Sequence, residues 1–80
     1  MRKLIITDGK NRMKLEESKC IPLELLFNKS EYGKEWDFIG DHLFYFKYYK
    51  NEFGKHPVSD VFEINSKQYF FLKELIKNLD

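Results

Sequence analysis

Residues Lys34-Glu35-Trp36-Asp37-Phe38-Ile39-Gly40-Asp41-His42-Leu43-Phe44-Tyr45-Phe46-Lys47-Tyr48-Tyr49-Lys50 decide the fold, because they read in two ways. Taken as β structure, Trp36 and Phe38 alternate with charged neighbours, and Gly40-Asp41 offers a two-residue turn with glycine at its first central position, as a type II′ hairpin requires. That register pairs Phe38 with Leu43 and Trp36 with Tyr45. One face then carries Trp36, Phe38, Leu43, Tyr45, Lys47 and Tyr49, and the other Glu35, Asp37, Phe44, Phe46 and Tyr48. Taken as helix, Asn28 and Glu31 supply a capping box, Tyr32, Trp36 and Ile39 recur at helical spacing, and Gly40 ends the element. Gly33 inside such a helix costs about 1 kcal/mol relative to alanine, so the hairpin is preferred.

The rings in this stretch exceed what one buried strand face absorbs. Five of the nine residues from His42 to Lys50 are aromatic. On the hairpin reading, Trp36, Phe38, Leu43 and Tyr45 are the more apolar set and belong to the core. Phe44, Phe46 and Tyr48, opposite Glu35 and Asp37, are then the surplus that needs a partner.

Working outward, Leu4 and Ile6 alternate with polar neighbours, Asp8-Gly9-Lys10-Asn11 supplies turn residues, and Met13 and Leu15 alternate again. A four-residue loop pairs Ile6 with Met13 and Leu4 with Leu15 on one face and leaves Ile5 on the other. Ile21, Leu23, Leu25 and Phe27 keep strict period two and read as a strand with Pro22 at its start or edge. The competing reading is a short helix with Pro22 in its first turn. Asn51 to Pro57 reads as a loop, and Val61–Ile64 as a last strand with Phe62 and Ile64 inward. Asn65 and Gln68 are spaced as a capping box, and Tyr69, Phe71, Leu72, Leu75, Ile76 and Leu79 form the apolar stripe of a C-terminal helix, with Phe70 off it. The expected fold is α+β, a single domain over residues 1–80, in which a mostly antiparallel meander of hairpins packs against one C-terminal helix.

Eighty residues bury only about 60% of the surface that the unfolded chain exposes, and Cys20 is alone, so no disulfide staples the domain. The 8 Phe, 5 Tyr and 1 Trp compensate, since each large ring buries about 150–250 Å². All of the rings lie between Phe27 and Phe71, which gives one core an aliphatic and an aromatic texture. With 14 Lys+Arg against 13 Asp+Glu, the balance argues against a strongly basic nucleic-acid binder and against an acidic DNA mimic. The start is too poor in apolar residues for a signal peptide, and no run approaches membrane-spanning length. With its lone cysteine, the chain is expected in the cytoplasm.

Catalytic signals are weak. Asp41-His42 is adjacent in sequence only, and Cys20 with His42 or His56 forms no local nucleophile motif. Two His and one Cys lack zinc spacing, and neither Asp8-Gly9-Lys10 nor Gly33-Lys34 is a phosphate loop. No cofactor, no metal and no enzymatic activity are expected. The chain instead reads as a small protein-binding module, an inhibitor or adaptor of phage or mobile-element type that occludes a host protein through an aromatic sheet face. The residues assigned to that face are Glu35, Asp37, Phe44, Phe46, Tyr48 and Tyr49, together with Phe70. The alternative is a single-stranded nucleic-acid binder that stacks bases on Tyr45 and Tyr49 beside Lys47 and Lys50. A further alternative is a homodimer built on the surplus rings.

Overall fold

The computed structural model describes residues 2–28, 31–49 and 59–79. Lys50 and the expected loop from Asn51 to Pro57 lie outside the described residues. The architecture is α+β: strands β1 (Lys3–Thr7) and β2 (Arg12–Glu16), a 3-10 turn (Glu17–Lys19), helices α1 (Cys20–Phe27) and α2 (Gly33–Tyr48), strand β3 (Val61–Glu63) and helix α3 (Ser66–Lys77). The sheet has three strands in the order β2-β1-β3.

The first hairpin takes the register read from its pattern: Ile6 opposes Met13 and Leu4 opposes Leu15. Leu4, Ile6 and Leu15 are buried and Met13 packs against them. The turn is held by Asp8, whose Oδ1 accepts from the Lys10 and Asn11 backbone N–H groups at 2.9 and 2.7 Å. Gly9 takes a φ of +97° there, a conformation that side chains with a Cβ resist.

The sheet is mixed, which corrects the expected antiparallel meander. β3 runs parallel to β1, with Ile5, Ile6 and Thr7 opposite Val61, Phe62 and Glu63. Parallel neighbours need a long crossover, and the α1–α2 pair lies within it. Phe62 and Ile64 point inward as expected.

The expected strand over residues 21–27 is helix. Its period-two apolar pattern coexists with a helical one: Cys20, Leu23, Glu24 and Phe27 are buried, while Leu25 is 55% exposed. Pro22 sits in the first turn, where its missing N–H has no intrahelical partner to lose.

The expected hairpin over 34–49 is also helix, α2. Gly33 is not a mid-helix liability, because it begins the element at φ +77°. The N-cap is Tyr32, with no side-chain cap, so the Asn28–Glu31 capping box does not form. Gly40 neither turns nor ends the chain. It lies mid-helix against α1, where a Cβ would stand 3.0 Å from Phe27 Cβ and 3.5 Å from the Glu24 carbonyl oxygen. Ile39, Gly40, His42, Leu43 and Phe46 are the buried side of α2.

α3 begins as its sequence requires. The Asn65 side chain accepts from the Gln68 backbone N–H at 2.8 Å, and Gln68 Oε1 accepts from the Asn65 N–H at 3.1 Å. Tyr69 and Leu72 enter the core, with Leu75, Ile76 and Leu79 packed at its edge. Phe71 departs from the stripe toward α2 and meets Trp36 at 4.5 Å and Tyr32 at 5.4 Å between ring centroids.

Candidate interaction surface

Helical rather than extended geometry redistributes the rings of residues 34–49. Successive helix residues are about 100° apart, so side chains four or three positions apart share a face. Phe46 therefore joins Ile39 and Leu43 in the core and is fully buried. Its assignment to a partner-facing surface is corrected. Trp36 is half-buried and stacks on Phe27 at 5.6 Å. Phe38, expected in the core, is 49% exposed. Tyr45, also expected there, is half-buried.

The remaining rings gather at the C-terminal half of α2. Phe44 lies 5.7 Å from Tyr45 and 4.8 Å from Tyr48, and Tyr45 lies 5.4 Å from Tyr49. Tyr48 is 58% exposed. Two turns earlier, Asp37 and Asp41 stand on the same side of the helix. Asp37, Asp41, Phe44 and Tyr48 follow at spacings of four, three and four, which is one continuous stripe on α2. Its N-terminal half is acidic and its C-terminal half aromatic.

Three carboxylates lie along or beside the stripe, and exposed Lys34 stands three residues before Asp37 on the same side of α2. Glu24 of α1 is buried; burial, with the Asp41 charge, pushes its carboxyl above the usual range, against the lowering effect of its bond from Asn28 Nδ2. Asp37 is half-buried, and its Oδ1 is shielded from solvent with no hydrogen-bond donor among the described residues. Glu35 belongs elsewhere. Its Oε1 accepts from Gln68 Nε2 and, at 3.3 Å, from Asn65 Nδ2, so it ties α2 to the start of α3.

Helical geometry also separates the residues expected to bind nucleic acid. Tyr45 and Lys47 share a strand face but stand about 200° apart on a helix. Lys47 turns toward the 3-10 segment, where its Nζ is 3.7 Å from Glu17 Oε1. Phe70 is 51% exposed on α3 and touches Tyr69 edge-on at 5.2 Å.

The end of α2 is fixed by a residue that sequence reading missed. Arg2 donates from Nη1 to the Phe46 and Tyr49 carbonyl oxygens at 2.9 and 3.1 Å. Its Nη2 pairs with Asp60 at 2.9 Å. The signal available was a single arginine before the first strand, which carries no information about a helix end more than forty residues away.

Cys20 is fully buried, and burial and the Glu17 charge push its thiol up to about 12. A thiolate is the nucleophilic form, so this side chain carries none at neutral pH. Among the described residues there is no pocket and no group of three or more His, Cys, Asp or Glu placed to hold a metal ion. Compared with family models, with curated proteins and with solved structures, the chain matches none.

Proposed function

We propose that this chain is a small protein-binding module, an inhibitor or adaptor that works by occlusion, and that it docks through the Asp37–Asp41–Phe44–Tyr48 stripe of α2. The observation that supports this reading is the aromatic group at the end of α2, where Phe44 and Tyr48 contact each other one turn beyond the exposed Asp41. Aromatic side chains combine large apolar area with few rotatable bonds, which is why they anchor interfaces. The carboxylates of Asp37 and Asp41 select a partner surface that is basic as well as apolar.

The test compares capture of partners from the native source by the wild type and by two double variants. Phe44→Ser with Tyr48→Ser removes the stripe's rings. Phe38→Ser with Phe70→Ser removes exposed rings elsewhere. With folding verified by circular dichroism, capture is lost in the first pair and retained in the second. Equal capture by wild type and the first pair overturns the reading.

A further inference from the structure

Strand β2 forms one edge of the sheet, and the phase of its hydrogen bonds shows what that edge offers. Glu17 N–H donates to the Arg2 carbonyl oxygen and Asp8 N–H to that of Asn11, at the two ends of the β1–β2 ladder. Bonded pairs alternate along an antiparallel ladder, so Leu15 and Met13 exchange bonds with Leu4 and Ile6. The N–H and C=O groups of Arg12 and Lys14 therefore point away from β1. Among the described residues nothing bonds to them on that side. The side chains of Arg12 and Lys14 are exposed on the face of the sheet opposite Leu15. Across the ladder they meet Thr7 and Ile5 rather than a carboxylate, while Glu16, the next exposed residue on this face, meets Lys3. On the other face Met13 is half-buried at the rim of the core.

We propose that β2 takes an acidic, extended polypeptide segment as a fourth strand, with carboxylates opposite Arg12 and Lys14 and an apolar side chain between them, beside Met13. In strand addition the main-chain bonds supply affinity and the alternate side chains supply selectivity. Arg12 and Lys14 stand about 6.8 Å apart along the strand, which is the i to i+2 repeat of any extended segment. Acid, apolar, acid is therefore the pattern that this edge reads. The same two cations argue against a second copy as the occupant. The register that pairs the whole of β2 with itself sets Lys14 against Lys14, and like charges directly opposite are destabilising, which is how edge lysines deter self-pairing. This surface is separate from the α2 stripe and goes beyond the docking role assigned there.

The probe is a fluorescein-labelled six-residue peptide of alternating glutamate and valine, titrated with the full chain at low salt and read by anisotropy. Binding is expected, and a peptide of alternating lysine and valine is expected not to bind. Lys14→Gln removes one exposed ion pair and weakens binding by up to about fivefold. Lys14→Pro also removes the outward N–H, which takes no part in the β1–β2 ladder, and proline is tolerated on an edge strand. It weakens binding about fivefold beyond Lys14→Gln, as the loss of one hydrogen bond allows. Amide hydrogen exchange of the wild type, read by NMR, supplies a measure that needs no variant: the Arg12 and Lys14 N–H groups slow when the peptide binds. Phe44→Ser with Tyr48→Ser leaves the affinity unchanged. No binding at millimolar peptide overturns the proposal. So does binding in which the Arg12 and Lys14 amides exchange as fast as in the free protein, or in which Lys14→Gln and Lys14→Pro weaken it equally, since either outcome reduces the contact to charge alone. Binding lost in Phe44→Ser with Tyr48→Ser seats the peptide on α2 and overturns the assignment to β2.

Discussion

The guanidinium of Arg2 lies 4.1 Å above the ring of Phe46 while donating to the carbonyl oxygen of the same residue at 2.9 Å. One side chain thereby satisfies the end of α2, packs on its last core ring and, through Asp60, holds the approach to β3. The last carbonyls of a helix lack intrahelical partners, and a cation there meets the negative end of the helix dipole.

Arg2→Ala removes these contacts together and is expected to destabilise the fold by about 1–3 kcal/mol, since hydrogen bonds from charged donors and a partly desolvated cation–π contact are each of that order or below. Arg2→Lys keeps the charge but loses the fork that reaches two carbonyls and a carboxylate at once, so it recovers only part of the loss. Urea denaturation midpoints measure both. A midpoint unchanged in Arg2→Ala contradicts the clamp.

Gly40 packs tightly against α1. Alanine in mid-helix normally gains about 1 kcal/mol over glycine. Here the new methyl meets Phe27 Cβ, an atom fixed to the α1 backbone and backed by the stack on Trp36. Overpacking of this kind costs about 1–3 kcal/mol, so Gly40→Ala is expected to be destabilising on balance, and Gly40→Val more so. Thermal denaturation of both variants supplies the check; a more stable Gly40→Ala means that the helices separate freely.

Cys20 gives a chemical readout of the core. With its thiol raised to about 12 by burial and the Glu17 charge, alkylation by iodoacetamide at pH 8 is expected to be slow in the native protein and fast in denaturant. Equal rates would place the thiol at the surface.

Glu24 and Asp8 titrate in opposite senses. The Glu24 carboxyl is raised above its ordinary 4.5 chiefly by burial, so its share of stability is full below that value and is lost as pH rises through the raised one. Glu24→Gln is therefore expected to raise the melting temperature at pH 7 and to leave it unchanged at pH 3.5. The Asp8 carboxyl is held well below its ordinary 3.8, first by the Asn11 and then by the Lys10 backbone N–H. Its share is present above that value and is lost as pH falls through the lower one. Asp8→Asn is expected to flatten the acid limb of the stability profile, and an identical acid limb counts against the turn contacts.

What was legible in the sequence followed local chemistry. Asp-Gly fixed the first turn and so the pairing of Leu4 with Leu15, and Asn65 with Gln68 marked the start of α3. What misled was punctuation whose purpose is tertiary. Gly40 resembles a turn residue, but it lies mid-helix where a Cβ would stand only 3.0 Å from Phe27 Cβ. The rings of 34–49 favour strands in general, yet such preference reflects packing context, and here the context is helix against helix. Period two at Ile21, Leu23, Leu25 and Phe27 shared residues with the helical set Cys20, Leu23, Glu24 and Phe27, and nothing local distinguishes them. Once helix replaces strand, Phe46 moves into the core, Tyr45 parts from Lys47, and the candidate surface changes membership while keeping Asp37, Phe44 and Tyr48. The reach of Arg2 to Phe46 and Asp60 depends wholly on tertiary structure and had no sequence signal.

The most direct test of the docking surface is hydroxyl-radical footprinting of the protein free and in its associated state, read residue by residue by mass spectrometry. Phe44 and Tyr48 are expected to lose reactivity on association, while Ile5 and Val61 on the opposite face of the sheet keep theirs. Protection of Ile5 and Val61 with unchanged labelling of Phe44 and Tyr48 would contradict the assignment of the α2 stripe.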